Sequence, residues 1–409
     1  MSIKFRARDM AEQQIADLDV QLLRRQLRVT ESPCGTKTRV GQRELNTFCS
    51  NDYLGLANHP ALITALTEGA KKYGVGSGAS HLISGHSIAH DLLEKKLATC
   101  ESQYIPNPRA LFFSTGYLAN ISAITGLARL AGQGEASIYS AKLNHASLID
   151  GVRLASAQNQ AKVTLFDHQN LKSLEEALEQ DSHQLKLIVV DGVFSMDGDI
   201  APVKKLLHLA EKYDSLLMVD DAHGFGVLGE HGRGILEQSQ VHSERIVYIG
   251  TLGKAAGVSG AFICATAPLI EWLIQKGRPY IYSTATPPAI AHTLLTSLEM
   301  IEGDEGVRRR QQLNQLIQVW HEEMTFSKWE KTSSFTPIQP VILGSNANAL
   351  AVAQLLDEAG YWIPAIRPPT VPVGSARLRI TFSASHNVDD LRALIRTLKI
   401  IEQTIEGGV

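Results

Sequence analysis

LKLIVVDGVFSMDGDIAPVKKLLHLAEKYDSLLMVDDAH, residues 185–223, decides the fold. Residues 185–190 and 216–219 are near-continuous apolar runs of strand length, without the alternation of a sheet that faces water on one side. Residues 203–213 between them read as a helix. Strands buried on both faces and joined through a helix belong to a parallel sheet covered by helices. The rhythm extends outward through ALFF (110–113), SIY (137–139), VTLF (163–166), RIVYIG (245–250) and AFICA (261–265), with further helices at 117–130 and 171–180. The expectation is α/β, a large domain with a mostly parallel seven-stranded sheet.

Toward the N-terminus, residues 8–27 read as an amphipathic helix carrying Ile15, Leu18 and Leu22 on one face, and Thr38–Val40 and Glu44–Phe48 as a hairpin about Gly41-Gln42. Pro60 suits the first turn of a helix that ends before Gly74. Beyond the sheet, helices are expected at 288–302 and 304–325. The pattern then changes to strand (336–343), helix (347–359), strand (361–366), strand (376–382) and helix (388–404), a smaller C-terminal α+β domain. The expected division is an arm and hairpin at 1–58, a large domain at 59–302 and the small domain at 303–409.

The 409 residues suffice for two domains with sizeable cores, and 20% charged against 44% hydrophobic residues is the balance of an ordinary globular chain. A net charge of −3 offers no general attraction to nucleic acid or anionic membranes. No run of about 18 apolar residues is available for a membrane span, and the charged N-terminus lacks a signal-peptide core, so a cytoplasmic location is expected. Cys34, Cys49, Cys100 and Cys264 form no Cys-x-x-Cys pair. His86 and His90 stand at i, i+4, but no third ligand and no His-Glu-x-x-His arrangement accompanies them, so no metal is expected.

Ligands of open parallel sheets collect beyond the carboxyl ends of the strands. Five strands here are followed by polar residues: Gly116 and Tyr117; His145; Asp191 with Ser195; Asp220 with His223; and Thr251 with Lys254. Each alone has an ordinary reading. Gly116 permits a tight turn, Lys254 could be solvated, Asp220 could cap a helix, and His145 could be a cap or a core histidine. Together they fit one cofactor. A lysine among small residues can bond covalently to an aldehyde, a carboxylate can pair with a pyridinium, a histidine can cover the ring, and a strand-to-helix turn can hold a phosphate. That cofactor is pyridoxal 5′-phosphate.

The markers SNDYLGL (50–56), GVGSGASHLISG (74–85), NHASLIDG (144–151), DGVFSMDGD (191–199), VDDAHGFGVLGEHGRG (219–234) and TLGKAAGVSGA (251–261) resemble the α-oxoamine synthases along nearly the whole chain. These are pyridoxal-phosphate enzymes with the aspartate-aminotransferase-like fold, fold type I. IYSTATPP (281–288) and AIRPPTVPVGSARLRIT (365–381) are most similar to the branch making 8-amino-7-oxononanoate for biotin. The resemblance implies that Lys254 bonds the cofactor, Asp220 pairs with its ring nitrogen, His145 stacks on the ring and His223 reaches its phenolic oxygen. It makes Gly116, Tyr117, Ser195 and Thr251 cofactor contacts, and carries Ser283 and Thr284 toward a neighbouring subunit's phosphate in a homodimer. Asn51 and Arg379 become contacts to the amino-acid carboxylate, and Arg24 and Thr370 to the acyl substrate.

The implied reaction is decarboxylative condensation of L-alanine with pimeloyl-CoA or pimeloyl-acyl carrier protein. Asp191, where a glutamate is common, and His81, where some relatives place arginine or glycine, are departures. A sister synthase acting on glycine or serine is the neighbouring reading; a non-catalytic scaffold of the same fold is the one from another class, and retention of Lys254, Asp220 and His145 argues against it.

Overall fold

The structure is a computed structural model and describes residues 6–405. These form two compact units: residues 6–50, 196–198 and 314–405 in one, and 51–195 and 199–313 in the other. The N-terminal stretch clusters with the C-terminal residues.

At the N-terminus α1 (Arg6–Val20) precedes the hairpin strands β1 (Lys37–Val40) and β2 (Arg43–Thr47). The helix stops well short of residue 27. It buries no residue, so nothing but local propensity holds it, and Leu22 turns into the left-handed region at φ 57° while the Leu23 amide bonds back to Leu18.

The larger unit begins with α2 (Pro60–Tyr73), a π-helical turn at His81–Gly85 and α3 (Ile88–Glu101), and then builds the sheet. Its seven strands are β3 (Pro108–Phe113), β4 (Ala136–Ala141), β5 (Lys162–Phe166), β6 (Leu185–Asp191), β7 (Ser215–Asp220), β8 (Ile246–Thr251) and β9 (Ala261–Thr266). They lie in the order β3-β9-β8-β7-β6-β4-β5, and only β9 runs against the rest. The helices between are α4 (Gly116–Leu127), α5 (Ala146–Asn159), α6 (Lys172–Glu179), α7 (Val203–Lys212) and α8 (Ile235–Ser239). All seven expected strands are present, and the crossover read at 185–223 is the β6-α7-β7 unit. One face of the sheet packs Ile138, Val189, Met218 and Val247 against Ala123, Ile124 and Val152 of α4 and α5. The carboxyl ends of β3, β4, β6, β7 and β8 therefore share one edge, the edge where a parallel sheet keeps its ligands.

After β9 come α9 (Ala267–Lys276), α10 (Arg278–Tyr282), α11 (Pro288–Glu302) and α12 (Asp304–Glu323), within which the chain passes into the smaller unit. There β10 (Glu330–Lys331), β11 (Ile338–Gly344), α13 (Asn346–Glu358), β12 (Tyr361–Trp362), β13 (Ala365–Ile366), β14 (Ala376–Thr381) and α14 (Val388–Thr404) follow. The single strand expected at 361–366 is two. β12 pairs with β2, whereas β13 pairs with β14, and Pro364 between them has no N–H to continue either ladder. Among the described residues no helix is long and apolar enough to cross a membrane.

Candidate active site

Gly116, Tyr117, His145, Asp220, His223, Thr251 and Lys254 line one cavity of about 210 Å³ at that sheet edge, together with Asn120, Ser147, Asp191 and Ala222. Four stretches far apart in sequence thus meet. Lys254 follows β8 and is half-buried, neither a solvated surface lysine nor sealed in the core. Its Nζ lies 3.0 Å from His223 Nε2, whose Nδ1 lies 2.5 Å from Tyr53 Oη; that hydroxyl donates to Asn51 Oδ1 at 3.2 Å. With the tyrosine O–H donated to Asn51, His223 Nδ1–H donates to the tyrosine oxygen and the Nε2 lone pair faces the lysine.

Asp220 closes β7 and is buried. Its Oδ2 accepts from Asn120 Nδ2 at 2.6 Å and its Oδ1 from the Ala222 amide at 3.0 Å. Two neutral donors orient the carboxylate and leave its charge without a cation among them, as a ligand with a protonated nitrogen requires. Asn120 also donates to Ser147 Oγ at 2.8 Å, and its own Oδ1 is buried without a hydrogen bond.

His145 does both things the sequence left open. Its Nδ1 caps α5 by accepting from the Ser147 amide at 3.2 Å, and its ring is open to the cavity. The protein around it still removes enough solvent to lower its pKa, with Asp220 opposing and Lys254 adding to the shift, so the ring is a neutral stacking surface near pH 7. Its backbone amide donates to Asp191 Oδ2 at 2.6 Å. Burial, with Asp220 nearby, pushes the Asp191 carboxyl well above the ordinary range. Asn144 fixes the same corner, accepting from the Asp191 amide and donating to the Val189 carbonyl.

Gly116 opens α4, whose N-cap Thr115 accepts from the Leu118 amide. A Cβ at Gly116 would stand 2.8 Å from Thr251 Oγ1, so glycine keeps that cradle open. The free amides of the first turn of a twelve-residue helix suit a phosphate there. Tyr117 lies beside Gly116, its hydroxyl bonded to Asp150. The residues present fit pyridoxal phosphate at every end: amine, ring face, ring nitrogen and phosphate.

A protein-family comparison matches residues 43–398 to the aminotransferases of class I and II. The 8-amino-7-oxononanoate synthase of Janthinobacterium sp. (strain Marseille) is 53% identical over 392 residues, covering 96% of this chain and 98% of its own. The chain belongs to the 8-amino-7-oxononanoate synthase family. Among solved structures, the Francisella tularensis member of that family superposes with a TM-score of 0.72 at 29% identity, over 88% of this chain and 98% of its own. A serine palmitoyltransferase variant from S. paucimobilis, solved with bound pyridoxal phosphate, gives 0.86 at 27% identity over 97% and 98%. The aspartate-aminotransferase-like fold and pyridoxal phosphate as cofactor follow for this family member too.

The remaining expected residues are placed elsewhere. Ser195 is half-buried in the loop after β6. Ser283 and Thr284 line a separate small cleft with Ser114, Leu118 and Tyr280. Arg24, Thr370 and Arg379 belong to the smaller unit. There Arg367 donates to the Leu22 and Arg24 carbonyls and Arg25 reaches Thr370 Oγ1 at 3.5 Å, which brings the Arg24 and Thr370 segments together. Arg379 is buried on β14 and donates to Thr381 Oγ1 at 3.0 Å.

Asn120, Ser147 and Tyr53 were not singled out from sequence. Tyr53 sits inside SNDYLGL, two residues from Asn51, and a lone asparagine one turn beyond Gly116 in the uncharged α4 was the available signal for Asn120. The absence of a third histidine beside His86 and His90 is corrected: the π-helical turn brings His81 to them, its Nδ1 3.0 Å from His86 Nδ1.

Proposed function

We propose that this chain condenses L-alanine with a pimeloyl thioester, of coenzyme A or an acyl carrier protein, giving 8-amino-7-oxononanoate, carbon dioxide and the free thiol for biotin biosynthesis. The observation that carries the reading is Lys254 Nζ, 3.0 Å from His223 Nε2, in one cavity with Asp220 and His145. Pyridoxal phosphate, when bound, supplies an electron sink for the amino acid's Cα.

Asp220, held by Asn120 and the Ala222 amide, keeps the ring nitrogen protonated. His145 covers the ring, and the Asp191 bond to its amide fixes where it stands. Lys254 Nζ takes the Cα proton, within reach of His223 Nε2. The Cα then bonds to the thioester carbonyl as the C–S bond breaks, the carboxylate leaves as carbon dioxide, and Lys254 returns a proton to the same carbon. Asn51 and Arg379 are assigned to the alanine carboxylate, and Arg24 and Thr370 to the acyl chain. A panel of acyl thioesters offered with L-alanine, glycine or L-serine tests this, with product identified by mass spectrometry. Preference for glycine or serine would move the chain to a sister synthase, and no turnover with any pair would leave only a scaffold.

The same reading makes the protein a homodimer. Ile83 is 81% exposed and Tyr282 is 70% exposed, with Leu82, Ile88 and Leu92 also open to solvent on the π-helical turn and α3. Apolar side chains of that size are ordinarily covered by a partner.

A further inference from the structure

We propose that His81, His86 and His90 form a binding site for a divalent transition metal of the zinc class, separate from the cofactor cavity. The three imidazoles converge. Their ring centroids are 5.2, 5.1 and 5.5 Å apart, and one ligating nitrogen from each lies within 4.8 Å of the others. With zinc–nitrogen bonds of 2.0–2.1 Å and tetrahedral angles, three bound imidazoles have centroids about 5.2 Å apart. The cluster is already near that size.

The outward nitrogens have acceptors of the kind that metal-bound histidines use. His90 Nε2 lies 2.8 Å from the buried Thr286 carbonyl, leaving Nδ1 for a ligand. His86 Nε2 faces the Glu94 carboxylate at 3.9 Å while its Nδ1 meets His81 Nδ1 at 3.0 Å. Two neutral imidazoles that close must share one proton between facing nitrogens, and a metal ion takes that proton's place. The His81 ring is fixed by stacking on Tyr280, with centroids 4.7 Å apart and planes 10° apart.

Ser87 contributes the competing contacts. Its amide and its Oγ both lie 3.0 Å from His90 Nδ1, so ligation there exchanges these two contacts for a metal–nitrogen bond. Three nitrogen ligands without a thiolate select zinc, cobalt, nickel or copper over calcium or magnesium. The entry path is the groove beside His86 lined by Asp91, Glu94, Lys95 and Arg109, of which Glu94 faces the His86 ring. A bound ion would pin the π-helical turn to the 280–286 segment, whose Ala285 amide already donates to the Ala79 carbonyl just before the turn.

The test uses tag-free full-length holoenzyme titrated with cobalt chloride and then zinc chloride. One cobalt per chain is expected, with the intense visible bands of a four-coordinate site, displaced by zinc, and with a higher Tm. His86→Gln removes an accessible ligand without disturbing the buried rings and should abolish the bands. Glu94→Gln should weaken binding about ten- to a hundredfold. A featureless cobalt spectrum with an unchanged Tm, or equal binding by His86→Gln, would overturn the site. Turnover of His86→Gln in chelator-treated buffer should equal that of the unsubstituted enzyme.

Discussion

Asp220 and Asp221 are neighbours in sequence with opposite tasks, and only the first could be read from its place after an apolar strand. Asp220 is oriented by two neutral donors. Asp220→Asn should still bind pyridoxal phosphate, seen as a visible absorption band, while turnover falls at least about a hundredfold, since a neutral amide cannot hold the ring nitrogen protonated. Near-normal turnover would remove Asp220 from that role. Asp221 is wholly buried beneath the turn, where burial above all, and Asp220 in part, push its carboxyl from 3.8 to about 7 against bonds from the Ile235 amide and Tyr248 Oη. Its folded pKa lies above the unfolded one, so the protonated carboxyl favours the fold; that contribution is complete below pH 4 and lost as pH rises through about 7. Asp221→Asn should be insensitive over this window, so its stability relative to the unsubstituted protein should rise between pH 4 and pH 7 in denaturant unfolding. A constant difference would show that Asp221 titrates normally. Lys254 and Asp220 were legible because strand ends announce them. Asn120 and Ser147 act through bonds to other residues, and no spacing rule marks an amide inside a helix as the holder of a carboxylate one hundred residues away.

At the level of elements, strong periodicity was read correctly and marginal elements were not. Six of the seven sheet strands are mostly buried runs whose burial the composition itself dictates, with β5 at the sheet edge largely exposed, whereas α1 ends early because it buries nothing, and the 361–366 strand is divided at a proline. In β14 the alternation of Arg377, Arg379 and Thr381 with Leu378 and Ile380 correctly put the arginines on one face, but every residue of the strand is buried, and periodicity could not tell the arginines apart. Their partners do. Arg377 pairs with Asp197 at 2.6 Å and donates to the Met196 and Ser375 carbonyls, while Arg379 bonds Thr381. Arg377→Met should therefore cost stability, about 3 kcal/mol, by stranding the Asp197 charge and two carbonyls. Arg379→Lys should weaken L-alanine binding about tenfold or more, because an ammonium cannot make the two parallel bonds of a guanidinium to a carboxylate. Unfolding curves and alanine titrations of the cofactor spectrum separate the two. Unchanged alanine affinity in Arg379→Lys would sink its assignment.

At the scale of the whole molecule, β2 takes its third strand from β12 more than three hundred residues later, and no local pattern encodes so distant a pairing. The homodimer raises the same difficulty between chains. Ser283 and Thr284 stand in a cleft of their own in this chain, apart from the residues that line the Lys254 cavity, yet the resemblance assigns them to a phosphate. Those two facts agree if each chain lends Thr284 to its partner's site. Thr284→Asp, which sets a negative charge against the phosphate, and Lys254→Ala should each be inactive alone. A two-fold dimer exchanges identical patches, so an unfolded and refolded equal mixture would contain hybrids in half of the dimers, each with one intact site of two, and should recover about a quarter of full activity. If Lys254 and Thr284 served the same site from one chain, no hybrid would contain an intact site, and the mixture would stay as inactive as its parts. Mass spectrometry of the intact dimers verifies that hybrids have formed, so an inactive mixture containing them would refute the shared site.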